Sequence, residues 1–435
     1  MLMQEDNETL TRVGPGTPMG EMMRRYWIPA LLAWELPEPD CAPVEVRLLG
    51  EDLVAFRQTD GRVGIVEWRC PHRSASLFWG RNEEQGLRCV YHGWKFDIDG
   101  RCVDMPSEPE ASNFKEKVSI RAYPTVEAGG VVWAYMGPRG MAPPPPLFEW
   151  TQAPETHRGM TKVLQDANWL QALEGGIDTV HSNFLHYGRP PAGADATMTI
   201  GSTRQRATGF SKAALVEVVP TDYGFTYAGL RALPDGGYFA RGYHWIMPWY
   251  QLRGYTVDAE KPTVSGHMWV PVDDETTMVY NFTYTYGSEP LSENERLLAG
   301  TGNQFGVDID VEDGFRSIRN RRNRYMIDRQ VQKTRTFTGI QGTNTQDRAV
   351  QESMGRVVDR SYERLGTTDR AIITARRLLL QAVKQTQAGG SPPGLEGYYK
   401  LRAIEQVIGQ DENWLEAMRA GLFQEPQPIA VVAEP

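Results

Sequence analysis

Residues 70–92 read CPHRSASLFWGRNEEQGLRCVYH. Cys70 and His72 are separated by one residue, sixteen residues intervene, and Cys89 and His92 follow with two between them. Two thiolates and two imidazoles in tight mixed pairs are the ligand set of a Rieske [2Fe-2S] cluster, with Cys70 and Cys89 on one iron and His72 and His92 on the other. Replacing two anionic thiolates by neutral imidazoles raises the potential, so such a cluster accepts an electron from a reductase and passes it on. Tetrahedral zinc also takes two Cys and two His. Zinc spacings, however, pair Cys with Cys and His with His, whereas each short loop here supplies one of each. Aromatic residues flank both loops, and Gly93 provides a turn after His92.

Around this core, residues 26–140 alternate apolar and polar positions in short runs separated by Gly, Asp-Gly and Pro turns, the pattern of a β-rich module. FDIDGRC (96–102) reads as a hairpin with Asp-Gly at its tip. The run APPPP (142–146) is stiff polyproline and marks a linker. Three parts follow from this: residues 1–25 as an N-terminal segment packing on the catalytic domain, 26–145 as the cluster domain, and 146–435 as the catalytic domain with C-terminal helices. Within the last part, TKVLQDANWLQALEGGIDTVHSNFLHY (161–187) reads as a helix or a helix pair broken near Gly175-Gly176. Residues 209–285 return to long aromatic strands, those of a large antiparallel sheet. Residues 291–331 read as a charged surface excursion with a helix. The final third reads as helical, with Thr368 as an N-cap, Gly389-Gly390 as a stop, and a second helix over YKLRAIEQVIG and DENWLEAMRAGL. The fold class expected is α+β.

The chain has 435 residues, 40% of them hydrophobic and 23% charged, with a net charge of −9. These values describe a globular protein without a nucleic-acid footprint. No apolar run is long enough for a membrane helix, and the polar N-terminus lacks the features of a signal peptide, so a cytoplasmic location is expected. In a reducing compartment the two remaining cysteines, Cys41 and Cys102, are expected as free thiols.

Asp178-Thr-Val-His181-Ser-Asn-Phe-Leu-His186 is a second constellation. His181 and His186 are five positions apart, about 140° on a regular helix, so they converge on one ion only where the helix is irregular. Two imidazoles and a carboxylate form the facial triad of mononuclear non-haem Fe(II), which leaves positions open for O2. Two unrelated core histidines are the alternative. The carboxylate has several candidates. Asp308, Asp310, Glu312 and Asp313 form an acidic cluster of the kind usually solvated. Asp347 lies where a polar loop meets an apolar helical run. Spacing does not choose between them.

Taken together, C-x-H…C-x-x-H and D-x-x-H-x-x-x-x-H resemble the Rieske non-haem iron ring-hydroxylating oxygenases (large, α subunit), and most closely the phthalate dioxygenase branch. The likeness runs from LTRVGPGTPMGEMMRRYWIPALL through CVYHGWKFDIDG, NWLQALEGGIDTVHSNFLH and RTFTGIQGTNTQDRAVQESMG to the last helices. It implies that the third iron ligand is a late Asp before a V/A-x-E pattern, which here is Asp347, with Val350 and Glu352 after it. It implies that Asp178 bridges a cluster histidine of one subunit, His92, and His181 of the next, in a head-to-tail trimer or a hexamer of stacked trimers. It also implies O2 as co-substrate and a separate flavin/iron-sulfur reductase that uses NADH. No dinucleotide fingerprint is evident in this chain.

Enzymes of the phthalate type grip carboxylates with Arg, since a guanidinium pairs bidentately with a carboxylate. Arg204, Arg206 and Arg241 are the candidates for holding an aromatic acid. His244, Trp245, Ile246, Met247 and Trp249 either line an apolar pocket or form core. The activity expected is dihydroxylation of a phthalate-like aromatic carboxylate, with O-demethylation of a methoxylated aromatic acid as the alternative. A simple Rieske electron carrier would need neither His181, His186 nor the long chain after them.

Overall fold

The computed structural model describes residues 2–109, 111–188, 210–255, 262–395 and 401–424. Arg204 and Arg206 lie outside the described residues.

Two small meanders carry the cluster loops. Strand β1 (Trp27–Leu32) precedes the first meander, β2 (Val44–Leu48), β3 (Glu51–Arg57) and β4 (Val63–Glu67). The second is β5 (Arg81–Glu83), β6 (Gly86–Arg88), β7 (Lys95–Phe96) and β8 (Cys102–Asp104). Asp97–Gly100 closes the β7–β8 hairpin: Asp97 Oδ1 accepts from the amides of Asp99 and Arg101, and Gly100 sits at φ 79°, where its missing Cβ avoids the carbonyl of Ile120. Strand β9 (Ala122–Tyr123) extends the first meander beside β4, whereas β10 (Thr125–Ala128) and β11 (Val131–Tyr135) form a three-stranded sheet with β1. The polyproline run then packs back, its Pro143 carbonyl accepting from Trp27 Nε1.

The second half is built on a ten-stranded sheet ordered β13-β14-β15-β16-β17-β18-β12-β20-β19, with β21 beside β15. Its strands are β12 (Arg158–Gln165), β13 (Leu215–Pro220), β14 (Gly224–Ala232), β15 (Tyr238–Ile246), β16 (Tyr250–Tyr255), β17 (Thr263–Pro271), β18 (Thr277–Thr285), β19 (Ile309–Asp310), β20 (Arg316–Ser317) and β21 (Ile404–Ile408). All pairings are antiparallel except β12 with β20. Strands β14, β15 and β17 are buried along almost their whole length, so both faces of the sheet are covered. The helix Trp414–Leu422 covers one face of β14 and β15 through Met418 and Leu422 against Ala228, Leu230 and Ala240. The helix Trp169–Ile177 covers the other face.

Four expectations are corrected. Residues 161–165 are not helical but belong to β12, because they pair with β18 and Met160 and Val163 join the core beside it. The helix starts at Trp169, capped by Asn168 Oδ1, and runs through Gly175-Gly176 to Ile177 without a break. The two glycines serve close approach instead: a Cβ on Gly175 would lie 2.1 Å from Gln351 Nε2, and one on Gly176 would lie 2.0 Å from Trp269 Cζ2. Residues 404–408 are strand β21, paired with Tyr238–Gly242, and only Trp414–Leu422 is helical there. The long C-terminal helix is Arg370–Gln387; its N-cap position is Asp369, one residue later than expected and without a side-chain capping bond, and Gly389 follows the helix at φ 85°.

The N-terminal segment forms helices Gln4–Thr11 and Pro18–Met23. It is tied down by Trp169 Nε1 donating to the Leu10 carbonyl and Asn168 Nδ2 donating to that of Thr11.

Candidate metal centres

The two cluster loops are matched turns. Cys70 N donates to Ala75 O and Ser74 N to Cys70 O; Cys89 N donates to Trp94 O and Gly93 N to Cys89 O. Both thiols are buried and within hydrogen-bonding reach of each other. The imidazoles of His72 and His92 lie nearer solvent, ring centroids 4.2 Å apart, with Trp94 stacked on His72 at 4.5 Å. Sulfur inside and nitrogen outside is the polarity a [2Fe-2S] cluster with unlike irons requires. Among the described residues only His181, His186 and Asp347 bring three ligand atoms within 4.8 Å of one another. The cysteines and histidines of the loops do not crowd onto one point, which disfavours a single zinc ion.

The second centre forms where the helix Trp169–Ile177 ends. Asp178 stops it: its Oδ1 accepts from Val180 N at 2.7 Å and faces His181 N, an Asx-type turn that starts a short 3-10 turn at His181–Asn183. The histidines therefore sit on irregular backbone, and their five-residue spacing no longer separates them. His181 Nε2 lies 3.2 Å from His186 Nε2, and Asp347 Oδ1 lies 3.4 and 3.3 Å from the two nitrogens. Ligands about 2.1 Å from a metal at right angles stand about 3 Å apart, so the three atoms fit one face of an octahedron. Asp347 comes from the helix Thr343–Ser353. The acidic cluster lies elsewhere, with Asp308 paired to Arg319 at 3.0 Å.

Both imidazoles are held from behind, by unlike partners. Asp178 Oδ2 lies 3.5 Å from His181 Nδ1, an ion-pair distance that leaves this buried nitrogen without a hydrogen bond. Burial opposes a charge on His181, but Asp178 and Asp347 outweigh it and raise its pKa to about 10. Asp347 is likewise driven far below the carboxylate range, against its burial, by the two histidines. The site thus favours a cation between these groups. His186 Nδ1 instead meets Gln346 Oε1 at 2.8 Å, while Gln346 Nε2 donates to the Ile340 carbonyl at 2.8 Å. That second bond orients the amide, so His186 Nδ1 carries the proton and Nε2 is left to bind a metal. Consecutive residues of one helix, Gln346 and Asp347, therefore grip both nitrogens of His186. Gln346 was not anticipated, and nothing in an amide beside an acid distinguishes it in a sequence.

Also unanticipated is a buried ion network one turn before Asp178. Glu174 accepts from Arg360 Nη2 at 3.0 Å and Arg376 Nε at 2.6 Å, and Arg360 Nη1 donates to Asn7. Burial would raise the Glu174 pKa, but the two arginines more than offset it and lower it.

Arg241 borders the same cavity as the triad. It is buried, its Nε donates to Glu405 Oε1 at 2.6 Å, and its Nη atoms have no hydrogen bond among the described residues. The next position but two points the other way. Alternation puts Arg241 and Tyr243 on the cavity face of β15 and His244 on the opposite one. His244 is a core histidine, bonded to Tyr223 Oη and to the carbonyls of Arg402 and Leu422. Trp245, Ile246, Met247 and Trp249 are core as well.

Residues 26–124 match the family model "Rieske [2Fe-2S] domain", and residues 134–428 match "LigXa C-terminal domain like". The chain belongs to the Rieske non-haem iron oxygenases. This oxygenase is 40% identical to the phthalate 4,5-dioxygenase oxygenase subunit of Pseudomonas putida, over 100% of this chain and 99% of that one. It is 40% identical to the 3-chlorobenzoate-3,4-dioxygenase oxygenase subunit of Comamonas testosteroni, covering 95% and 97%. Identity to the 5,5'-dehydrodivanillate O-demethylase oxygenase subunit of a Sphingobium strain is 31%, covering 99% and 96%. Its fold is similar to that of NdmA from Pseudomonas putida CBB5, with a TM-score of 0.60, 19% identity, and coverage of 91% and 100%. No helix among the described residues is long and apolar enough to cross a membrane.

Proposed function

We propose that this oxygenase hydroxylates an aromatic carboxylate, with Cys70, His72, Cys89 and His92 holding the cluster and His181, His186 and Asp347 holding iron. The observation that supports this most is the convergence of the triad at 3.2–3.4 Å in a cavity that Arg241 also borders. When bound, the cluster stores one electron and the iron activates O2. Arg241 then draws the substrate carboxylate into the cavity, with Arg204 or Arg206 as a second cation. Glu405 shares Arg241's charge, so the arginine acts as a directional donor through its Nη atoms and not as a free cation. Asp178 steers His181 and links it to His92 of a neighbouring subunit in a trimer or a hexamer. Electrons come from a separate NADH-dependent reductase in the cytoplasm. Residues 26–145 and 146–435 act as the electron-transfer and catalytic domains, with residues 1–25 packed on the latter.

The likeness to phthalate and chlorobenzoate dioxygenase subunits supports dihydroxylation, and that to an O-demethylase subunit supports a second reading. Substrate-coupled NADH and O2 consumption, with product mass, across phthalates, benzoates and methoxybenzoates tests both. A gain of two oxygens and two hydrogens supports the first reading. Loss of CH2 with formaldehyde release overturns it in favour of the second, and uncoupled consumption with every aromatic acid overturns both.

A further inference from the structure

Strand alternation places Tyr243, Arg253, Gln251 and His267 on the cavity face, since Tyr243 pairs with Arg253 and Gln251 with His267. His267 is 6% exposed and borders the same cavity as the triad. Its Nδ1 lies 2.8 Å from Asn281 Oδ1. The orientation of that amide is set from two sides: Asn281 Nδ2 donates to the Val279 carbonyl at 3.3 Å, and Asn344 Nδ2 donates to Asn281 Oδ1 at 3.3 Å. An oxygen therefore faces His267, so Nδ1 carries the ring proton and Nε2 is a bare lone pair. Burial, reinforced by the Arg253 guanidinium, lowers the pKa to about 3 and keeps the ring neutral. Nε2 has no hydrogen bond among the described residues.

Donors are plentiful around this cavity; Arg241 and Arg253 both border it. What awaits a counterpart is an acceptor. We propose that His267 Nε2 is a substrate subsite, and that this oxygenase selects aromatic carboxylates that also carry an O–H or N–H donor, a hydroxy- or aminobenzoate. The proposal rests on the aromatic-carboxylate reading and narrows it. A second carboxylate or an ether oxygen at the same place would set lone pair against lone pair, and a site built to bond a donor rejects the analogue without one.

The test is calorimetric binding to the cluster- and iron-loaded oxygenase without O2, using benzoate and its 2-, 3- and 4-hydroxy, amino and methoxy derivatives. At one ring position the hydroxy and amino compounds should bind about tenfold more tightly than benzoate or the methoxy compound. His267→Phe should reduce that ratio to near one, and His267→Gln, whose amide oxygen can accept, should recover part of it. Equal binding of hydroxy, amino and methoxy compounds at every position by the unaltered protein overturns the proposal without any variant. A preference that survives His267→Phe also overturns it, while the carboxylate reading stands. If no benzoate binds, both fall.

Discussion

At the scale of single residues, the two iron-facing imidazoles have unlike supports: a carboxylate behind His181 and a neutral amide behind His186. Such supports fix a ligand's tautomer and tune its basicity, and losing one typically costs 10- to 100-fold in metal affinity. Gln346→Met keeps the side chain's length and removes both hydrogen bonds. We expect it to weaken Fe(II) or Co(II) affinity of the mononuclear site by about that factor, with the cluster's visible spectrum unchanged. Wild-type metal retention would show that Gln346 does not position His186. Asp178→Asn should leave the cluster reducible but stop turnover if Asp178 carries the proposed link between His92 and His181, which needs a charged acceptor. Rapid reduction of the cluster followed by a single-turnover assay separates the two steps, and normal turnover would remove the bridging role. The candidate metal residues could be picked out in the sequence because Cys and His are rare and chemically restricted. Gln346 and Glu174 could not, since their roles come from partners 160 and 186 residues away in Gln346–His186 and Glu174–Arg360.

At the scale of elements, the Gly175-Gly176 pair looked like a helix break and is instead where a helix presses on its neighbours. The two positions are not equivalent. Gly176 faces the indole of Trp269, which is buried and cannot retreat, whereas Gly175 faces the terminal amide of Gln351. Gly176→Ala should therefore destabilise by about 1–3 kcal/mol and Gly175→Ala by less. Thermal unfolding of the two variants checks the order, and a larger loss at Gly175 would contradict the packing described. The misread segments have a common cause. TKVLQ and IEQVI are short mixed runs whose own preference is weak, and each becomes a strand because a partner, β18 or β15, lies alongside. The longer aromatic strands and the Arg370–Gln387 helix carry their own periodicity and were legible without the fold.

At the scale of the whole molecule, two buried histidines set the acid limit. His244 and His267 are each kept neutral by burial, with pKa values lowered to about 4 and about 3. In the unfolded chain they titrate near about 6.5. Between those values the unfolded state binds more protons, so stability is full above about pH 6.5 and falls as the pH drops towards 4. Urea unfolding of the iron-loaded protein at pH 7.5, 6 and 5 should show a decline on the order of a few kcal/mol, and a flat profile would refute it. Assembly has its own test. If cluster and iron work in different subunits, mixing His72→Ala chains with Asp347→Ala chains in one oligomer should restore turnover that neither has alone. No recovery in verified hybrids would place electron transfer within one chain.

Strand β15 is flanked along one side by two successive partners, β21 at Tyr238–Gly242 and β16 at Tyr243–Ile246. A chain ending near residue 400 would strip the first of these. Five residues of β15 would then present unpaired amides and carbonyls beside the uncovered Ala228, Leu230 and Ala240, a sticky margin on which another molecule can build a strand. The same cut would remove Glu405 and leave Arg241 as a buried cation without its counter-ion. For this oxygenase the last stretch of chain is both a guard against self-association and the anchor of a cavity arginine, so a shortened protein should lose solubility and substrate capture together.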